Sequence, residues 1–218
     1  MDFRLIILFS LFGFIYSKVI DLSCGQIEKF VKGHNARRLR LARGQVPKQP
    51  AADDMKYIIW DDELAGKAAK WASNNKFQHN PDRTVPSGRF GTGENIFWSA
   101  SNNPAYEVDL DSVMDSWFNE YKDYTYGPLQ ITDFTNREKQ IGHYTQMAWA
   151  NTIYVGCGIS VYNTDDGFKN YLVVCNYGPT GNYLGQTPYK RSDKGKKKLK
   201  CGVENCLSKI SRYSSCSG

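Results

Sequence analysis

The chain has 218 residues, six cysteines and a formal net charge of +6 at pH 7. This length is sufficient for one large domain, or a domain with a tail, that buries a full hydrophobic core. Beyond the first residues no stretch is apolar enough to span a bilayer, and no cysteine and histidine spacing matches a zinc finger, which argues against both of these classes.

The N-terminus has the pattern of a signal peptide. Met1 to Arg4 precede an apolar run from Leu5 to Tyr16, which is too short to span a bilayer, and Ser17 is a suitable small residue before a cleavage site. We predict a signal peptide over residues 1–17, with a membrane anchor as the alternative. A secreted, extracellular chain with an even number of cysteines is expected to form disulfide bonds.

The first helix is predicted over residues 24–43, because Ile27, Phe30, Val31 and His34 share one face. His34 is therefore expected to pack into the domain and to stay outside any site. A short strand over 55–60 follows, rich in β-branched and aromatic residues. Asp61 then has the position of an N-cap for a second helix that ends near residues 74–75.

The residues after the second helix carry the first candidate site residues. His79 lies where the chain leaves the helix, and Glu94 ends a stretch rich in glycine and proline, so we expect a loop at Glu94. A third helix is predicted from Asp109 or Asp111 to about Tyr124. On it Glu120 shares a stripe with apolar residues, where a carboxylate needs a partner because burying an unpaired charge is costly.

A short helix over 139–147 is predicted to carry His143, followed by two strands over 153–162 and 171–177. Apolar and small residues alternate in the first of these strands, as a half-buried strand requires. Cys157 and Cys175 lie almost equally far from the turn between the strands, so a hairpin can bring them face to face.

The last segment is basic and contains three cysteines. Between residues 190 and 200 there are seven lysines and arginines and one aspartate, so the rest of the chain is nearly neutral. Such a patch can bind heparin-like glycans or lipid head groups, or it can be a solvated flexible linker. The lysines proposed for anion binding are Lys194, Lys196, Lys197, Lys198 and Lys200.

We expect residues 190–218 to form a tail that is too short for its own core and depends on disulfide bonds. Cys24 could tie this tail to the main domain. If Cys157 and Cys175 are paired, three connectivities remain open for the other four cysteines. These four are Cys24, Cys201, Cys206 and Cys216.

Two long motifs carry a family resemblance. Residues 142–149 read GHYTQMAW and are followed by VGCG at 155–158, and residues 171–183 read YLVVCNYGPTGNY. With GENI at 93–96 and His34-Asn35-Ala36-Arg37, this pattern resembles the CAP superfamily of cysteine-rich secretory, antigen 5 and pathogenesis-related 1 proteins, and most of all its arthropod antigen 5 branch. The resemblance implies an α+β fold, a three-layer α-β-α sandwich around a largely antiparallel sheet over residues 18–189, and the Cys157–Cys175 bond.

The resemblance also implies a site. His79, Glu94, Glu120 and His143 match the four residues that CAP proteins gather in a central cleft. In relatives the two histidines bind the metal, so His79 and His143 are the candidate ligands of a weakly held divalent ion such as zinc, with Glu94 and Glu120 around them. Alternatively, the histidines and glutamates only satisfy one another and hold the loops together.

For function, the resemblance implies a secreted, non-enzymatic protein of the antigen 5 type, such as a venom or salivary allergen. Its expected partner is a small lipid (a sterol, fatty acid or eicosanoid) or an extracellular host protein, and no nucleic acid is expected. The alternative is a metal-dependent hydrolase or protease that uses the His/Glu cleft. The chain has no HExxH and no GxSxG motif to support that alternative.

Overall fold

The computed structural model describes residues 17–135 and 138–213. Residues 1–16 of the predicted signal peptide and Cys216 lie outside this part, whereas Ser17 is paired in the first strand. In chain order the elements are β1 (Ser17–Val19), α1 (Cys24–Ala42), β2 (Ala51–Ala52), β3 (Ile59–Trp60), α2 (Asp62–Ala72), β4 (Gly93–Ser101), α3 (Leu110–Phe118), a 3-10 helix (Asn119–Lys122), α4 (Thr132–Thr135), α5 (Gly142–Met147), β5 (Tyr154–Asn163), β6 (Lys169–Gly178), β7 (Arg191–Ser192) and α6 (Cys206–Ser211).

The main sheet is built on the predicted hairpin. Its strand order is β1-β5-β6-β4 with antiparallel pairing throughout, and β3 joins β5 in parallel. Cys157 lies directly opposite Cys175 in the β5–β6 ladder, and the two are joined by a disulfide bond. The predicted hairpin and its disulfide bond are therefore confirmed.

The strand β4 corrects the expectation of a loop at Glu94. Residues Gly93 to Ser101 pair with β6 over the whole length of the strand, so Glu94 is the second residue of a long strand. The sequence of β4 does not show the alternation of a strand, because polar Asn95 and Ser99 occupy positions that face the main core. Long-range pairing with a strongly apolar partner determines this strand.

One face of the sheet is covered by α2 at very short range. Ala68 and Ala72 of this helix pack against Leu172 and Val174 of β6. Where α2 crosses β5, Gly158 leaves room for the helix: a Cβ atom there would lie 2.3 Å from the backbone nitrogen of Ala69. Glycine is needed at this position for close approach, and the helix rests on the strand backbone itself.

The larger part of the core lies on the other face of the sheet, under α1, α3 and α5. Ser23 caps α1 in a capping box with Gln26, and Asp109 caps α3. The third helix is shorter than predicted, because the α-helix ends at Phe118 and a 3-10 helix follows. The chain is thus a three-layer α-β-α sandwich, as expected for its fold class.

A buried arginine joins α1 to the segment that follows α5. Arg38 is completely buried, and burial lowers its pKa to about 9. At neutral pH it stays charged, and its guanidinium is satisfied by backbone carbonyl oxygens at distances from 2.8 to 3.3 Å. These carbonyls belong to Lys56, Met147, Trp149, Ala150 and Thr152.

The segment after residue 189 packs on the sandwich in the part that the structure describes. β7 pairs with β2, Leu199 is buried in the main core, and α6 packs against β3 and α1. Cys201 and Cys206 form a disulfide bond with each other, and Cys24 is also disulfide-bonded. The domain boundary at residue 189 stays a prediction.

Candidate functional site

The first half of the site is a pair formed by His79 and Glu94. His79 follows α2, and its Nδ1 lies 2.8 Å from Oε1 of Glu94, which also accepts the backbone N–H of Asn80 at 2.8 Å. The other carboxylate oxygen accepts a hydrogen bond from the Asn176 amide at 3.2 Å. The Glu94 side chain is fully buried, whereas 51% of the His79 side chain is exposed, so the carboxylate holds an imidazole that reaches solvent.

The second half is a pair formed by His143 and Glu120. Glu120 lies in the 3-10 helix, and its Oε1 is 2.6 Å from Nδ1 of His143. Its Oε2 accepts the backbone N–H groups of His143 and Tyr144 at 3.0 and 3.1 Å, so it also caps the first turn of α5. The ring of Trp117 stacks on the imidazole of His143. Glu120 therefore has the partner that its position on an apolar stripe required.

Both histidines open into one cavity of about 680 Å³. Glu94 also lines this cavity, whereas Glu120 does not and lies behind His143. The four residues implied by the resemblance are thus brought together as two His/Glu pairs. In each pair the carboxylate fixes one imidazole beside the same open space.

A buried hydrogen-bonded chain connects α1 to this site. Asn95 donates from Nδ2 to the carbonyl oxygen of His143 at 3.1 Å and to the hydroxyl of Tyr177 at 3.2 Å. Tyr177 in turn lies 2.9 Å from Nε2 of His34, whose Nδ1 donates to the carbonyl of Phe30. His34 therefore accepts from the tyrosine and stays neutral, and burial lowers its pKa to about 3. It lies outside the cavity and supports the site from behind.

Sequence reasoning missed the apolar edge of the cavity. Ile131, Phe134 and Leu184 all line it, and their exposed fractions of 62%, 39% and 53% are high for side chains of their size. Arg83 lies on the polar side, with its Nη1 3.9 Å from Oε1 of Glu94. Ile131 and Phe134 lie just before and in α4, whereas Arg83 and Leu184 come from two other segments of the chain. No local pattern in the sequence therefore marks the whole set as neighbours.

Gln146 was also missed as a cavity residue, although it belongs to the long motif at 142–149. Its Oε1 accepts the backbone N–H of Gly181 at 2.9 Å, and its Nε2 donates to Thr152. The second motif, at 171–183, ends at this point. The two motifs are therefore joined directly at the wall of the cavity.

The two imidazoles are the donors that this cavity offers to a metal ion. Because each histidine uses Nδ1 toward a glutamate, Nε2 is the nitrogen left for a ligand, as in carboxylate–histidine–metal arrangements. Within residues 17–135 and 138–213, no group of three or more histidine, cysteine, aspartate or glutamate residues could hold a metal ion. A divalent ion here would depend on water or a ligand for its remaining positions, unlike a closed structural zinc site.

Comparison with known proteins agrees with this architecture. Residues 31–177 match the model of the CAP family, described as the cysteine-rich secretory protein family. Venom allergen 5 2 of Polybia paulista is 40% identical over 185 residues, which cover 80% of this chain and 86% of that protein. Venom allergen 5.02 of Dolichovespula maculata is 34% identical over 179 residues, which cover 80% of each chain.

Solved structures show the same fold. The crystal structure of Na-ASP-1 superposes with a TM-score of 0.64 at 30% identity, covering 80% of this chain and 43% of that chain. The crystal structure of NaASP2 with Zn²⁺ gives a TM-score of 0.63 at 29% identity, covering 84% of this chain and 92% of that one. The chain therefore belongs to the CAP (cysteine-rich secretory protein) family, on its antigen 5 branch.

Proposed function

We propose that the chain is a secreted, non-enzymatic binding protein whose cleft accepts a small amphipathic lipid. The polar end of the lipid lies at the histidines, and its apolar part lies along Ile131, Phe134 and Leu184. One observation carries this proposal: a single cavity of about 680 Å³ joins both surfaces. That volume is in the range of sites that hold small organic ligands, which are mostly apolar with a few placed polar groups.

The hydrogen bonds of the two glutamates support binding over catalysis. Glu94 and Glu120 use all four carboxylate oxygens on the histidines, on backbone N–H groups and on Asn176. A glutamate that acts as a general base must turn an oxygen toward a substrate proton, whereas all four oxygens here are turned toward donors of the protein itself. We therefore favour a binding function over the metal-dependent hydrolase alternative.

A weakly held divalent metal such as zinc is part of the proposal. His79 and His143 would supply its protein ligands, and Glu94 and Glu120 would orient them. When bound, the ion would provide a positive centre for an anionic head group. Two protein ligands bind zinc less firmly than the three or four of dedicated sites. The crystal structure of NaASP2 with Zn²⁺ lends this assignment support from a relative.

The lipid part of the proposal can be tested with native mass spectrometry and displacement of a fluorescent fatty acid. The triple variant I131S/F134S/L184S removes the apolar edge, and we expect at least a tenfold weaker displacement signal, since burying each large side chain contributes about 1.5–3 kcal/mol. The matched control W98S/F168S/L207S removes three exposed apolar side chains that do not line the cavity. Equal losses in both variants would contradict lipid binding in the cleft.

The metal part has its own readout, zinc competition against a colorimetric chelator at pH 7.5. We expect H79Q/H143Q to lose zinc binding and Q78A, whose exposed side chain is next to the site, to keep it. If the double variant retains zinc, the ligands lie elsewhere. If the protein takes up neither lipid nor zinc, an extracellular host protein becomes the partner to test at the same surface.

A further inference from the structure

The basic segment 190–200 is held against the sandwich as a fixed surface. Its β7 strand pairs with β2, and the backbone N–H of Lys196 donates to the carbonyl of Ala42 at the end of α1, at 2.7 Å. The N–H of Lys200 donates to the carbonyl of Met55 at 2.9 Å. These bonds hold the backbone of the segment at defined positions. The lysine side chains of the patch therefore extend from fixed points on the surface.

Five lysines of this patch divide into two groups. Lys196 and Lys200 pair with Asp53, with nearest distances of 2.6 and 3.7 Å, and the hydrogen bond from Lys196 lowers the pKa of that carboxyl group. Lys194, Lys197 and Lys198 are exposed. Among the described residues these three have no ion-pair partner within 4.0 Å. Their charges are therefore available to an external anion.

The end of α1 adds further positive charge to the same surface. The backbone at Gly195 passes so close to Arg43 that a Cβ atom there would lie 2.5 Å from the arginine carbonyl oxygen. Arg43 and Lys48 are both exposed, and neither forms an ion pair within the described part of the chain. Lys48 lies three residues before the start of β2, the partner of β7. Two distant parts of the sequence thus contribute to one basic surface.

We propose that this surface binds a linear, highly sulfated polysaccharide. Sulfate groups along a flexible chain can pair with several separate lysines at once, and each sulfate that a lysine neutralises releases a counterion condensed on the polysaccharide. The other polyanions fit less well. The large exposed apolar side chains lie outside residues 190–200, so the patch has none to insert into a lipid bilayer. Tyr189, the aromatic residue beside it, is buried and offers no stacking surface for bases.

The experiment uses immobilised heparin and the full secreted chain, with binding measured at several salt concentrations. The variant K194Q/K197Q/K198Q removes the three unpaired charges. We expect about tenfold weaker binding at 0.15 M salt. The slope of log K against log salt is negative, and its magnitude should decrease by about one for each lysine removed. The matched control K70Q/K76Q/K122Q removes three charges of exposed lysines elsewhere and should bind nearly as well as the wild type.

Three outcomes would overturn the proposal: no binding of the wild type to heparin at 0.15 M salt, equal weakening in the control, or tighter binding to phosphatidylserine vesicles or single-stranded RNA than to heparin. Thermal unfolding of both triple variants checks that the fold is intact. H79Q/H143Q should keep full heparin affinity, which separates this surface from the cleft.

Discussion

Tyr177 and His34 are joined by a 2.9 Å hydrogen bond between two completely buried side chains, one on β6 and the other on α1. Because Nδ1 of His34 donates to a carbonyl, its Nε2 must accept the tyrosine proton, and a protonated imidazole cannot do so. The bond therefore requires the neutral form of the histidine. The hydrogen-bonded network behind His143 therefore depends on the protonation state of His34 on α1.

This requirement makes the fold sensitive to acid. The pKa of His34 is lowered from 6.5 to about 3, so between these values the unfolded state binds one more proton than the folded state. The free energy of unfolding should therefore be highest above pH 6.5 and fall on acidification by up to about 1.4 kcal/mol per pH unit from this group. Urea unfolding of the wild type and H34Q between pH 7.5 and 4.5 measures this pH dependence of the free energy of unfolding.

The comparison with H34Q isolates the contribution of His34 to the pH dependence of stability, since the carboxylates contribute equally in both proteins. We expect the wild type to lose about 2–3 kcal/mol more than H34Q between pH 7.5 and 4.5. Parallel pH profiles would show that His34 is not the group responsible.

Glu120 should contribute to stability as well as to the site. In E120Q one of the two oxygens becomes an NH₂ group that faces an N–H donor, either the backbone or Nδ1 of His143. We expect a loss of about 1–3 kcal/mol in the free energy of unfolding and a zinc affinity about 10- to 100-fold lower. D193N changes a carboxylate that is 91% exposed and should alter neither by more than about 0.5 kcal/mol. Equal stability of E120Q and the wild type would contradict this role.

The close packing of α2 on β5 predicts a large difference between two glycine substitutions. In G158A the new methyl group would lie 2.3 Å from the backbone nitrogen of Ala69, so the helix must move away from the sheet. We expect a loss of about 1–3 kcal/mol or more. Gly66 lies in the same helix with no neighbouring atom within 4 Å, so G66A should stabilise by about 0.5–1 kcal/mol.

Thermal or chemical unfolding of both glycine variants gives the comparison directly. Similar effects of G158A and G66A would mean that the helix does not rest on the strand backbone.

Arg38 should be among the most sensitive positions in the core. Methionine has a similar length, but it leaves the carbonyl groups that bind Arg38 buried without donors. The free energy lost in this way exceeds the gain from burying a hydrophobic side chain. We expect R38M to lose at least about 3 kcal/mol in urea unfolding. The exposed Arg43 provides the control, and R43M should stay within about 0.5 kcal/mol of the wild type. A value for R38M within about 1 kcal/mol of the wild type would refute the role assigned to these hydrogen bonds.

Local patterns in the sequence were sufficient for α1, α2, the start of α3, α5 and the central hairpin, whereas the short helices α4 and α6 were not predicted. The face containing Phe30 and His34 identified α1, Asp61 marked the start of α2, and the alternation around Cys157 identified β5. Each of these signals lies within one element, so periodicity and capping reveal it. The position of Glu120 among apolar residues likewise indicated that this carboxylate needs a partner.

The features that sequence reasoning missed depend on contacts between distant segments. Glu94 lies on a strand because β6 pairs with it, although its own neighbours resemble a loop. Ile131, Phe134 and Leu184 form one edge of the cavity because the segment around α4 and the segment after β6 converge. The pairing of each histidine with its own glutamate also became visible only when β4, the 3-10 helix and α5 were placed in space.

The placement of the cavity residues separates ligand choice from folding. His143 is fixed by Asn95 and Glu120 on the sheet and the 3-10 helix, so its position depends on the core. The apolar edge, by contrast, consists of exposed side chains on short surface segments that contribute little to the core. Under the proposed binding function, substitutions at Ile131 or Leu184 should change which molecule the cleft prefers and leave the scaffold beneath it unchanged. Diversification of this protein would begin at that edge.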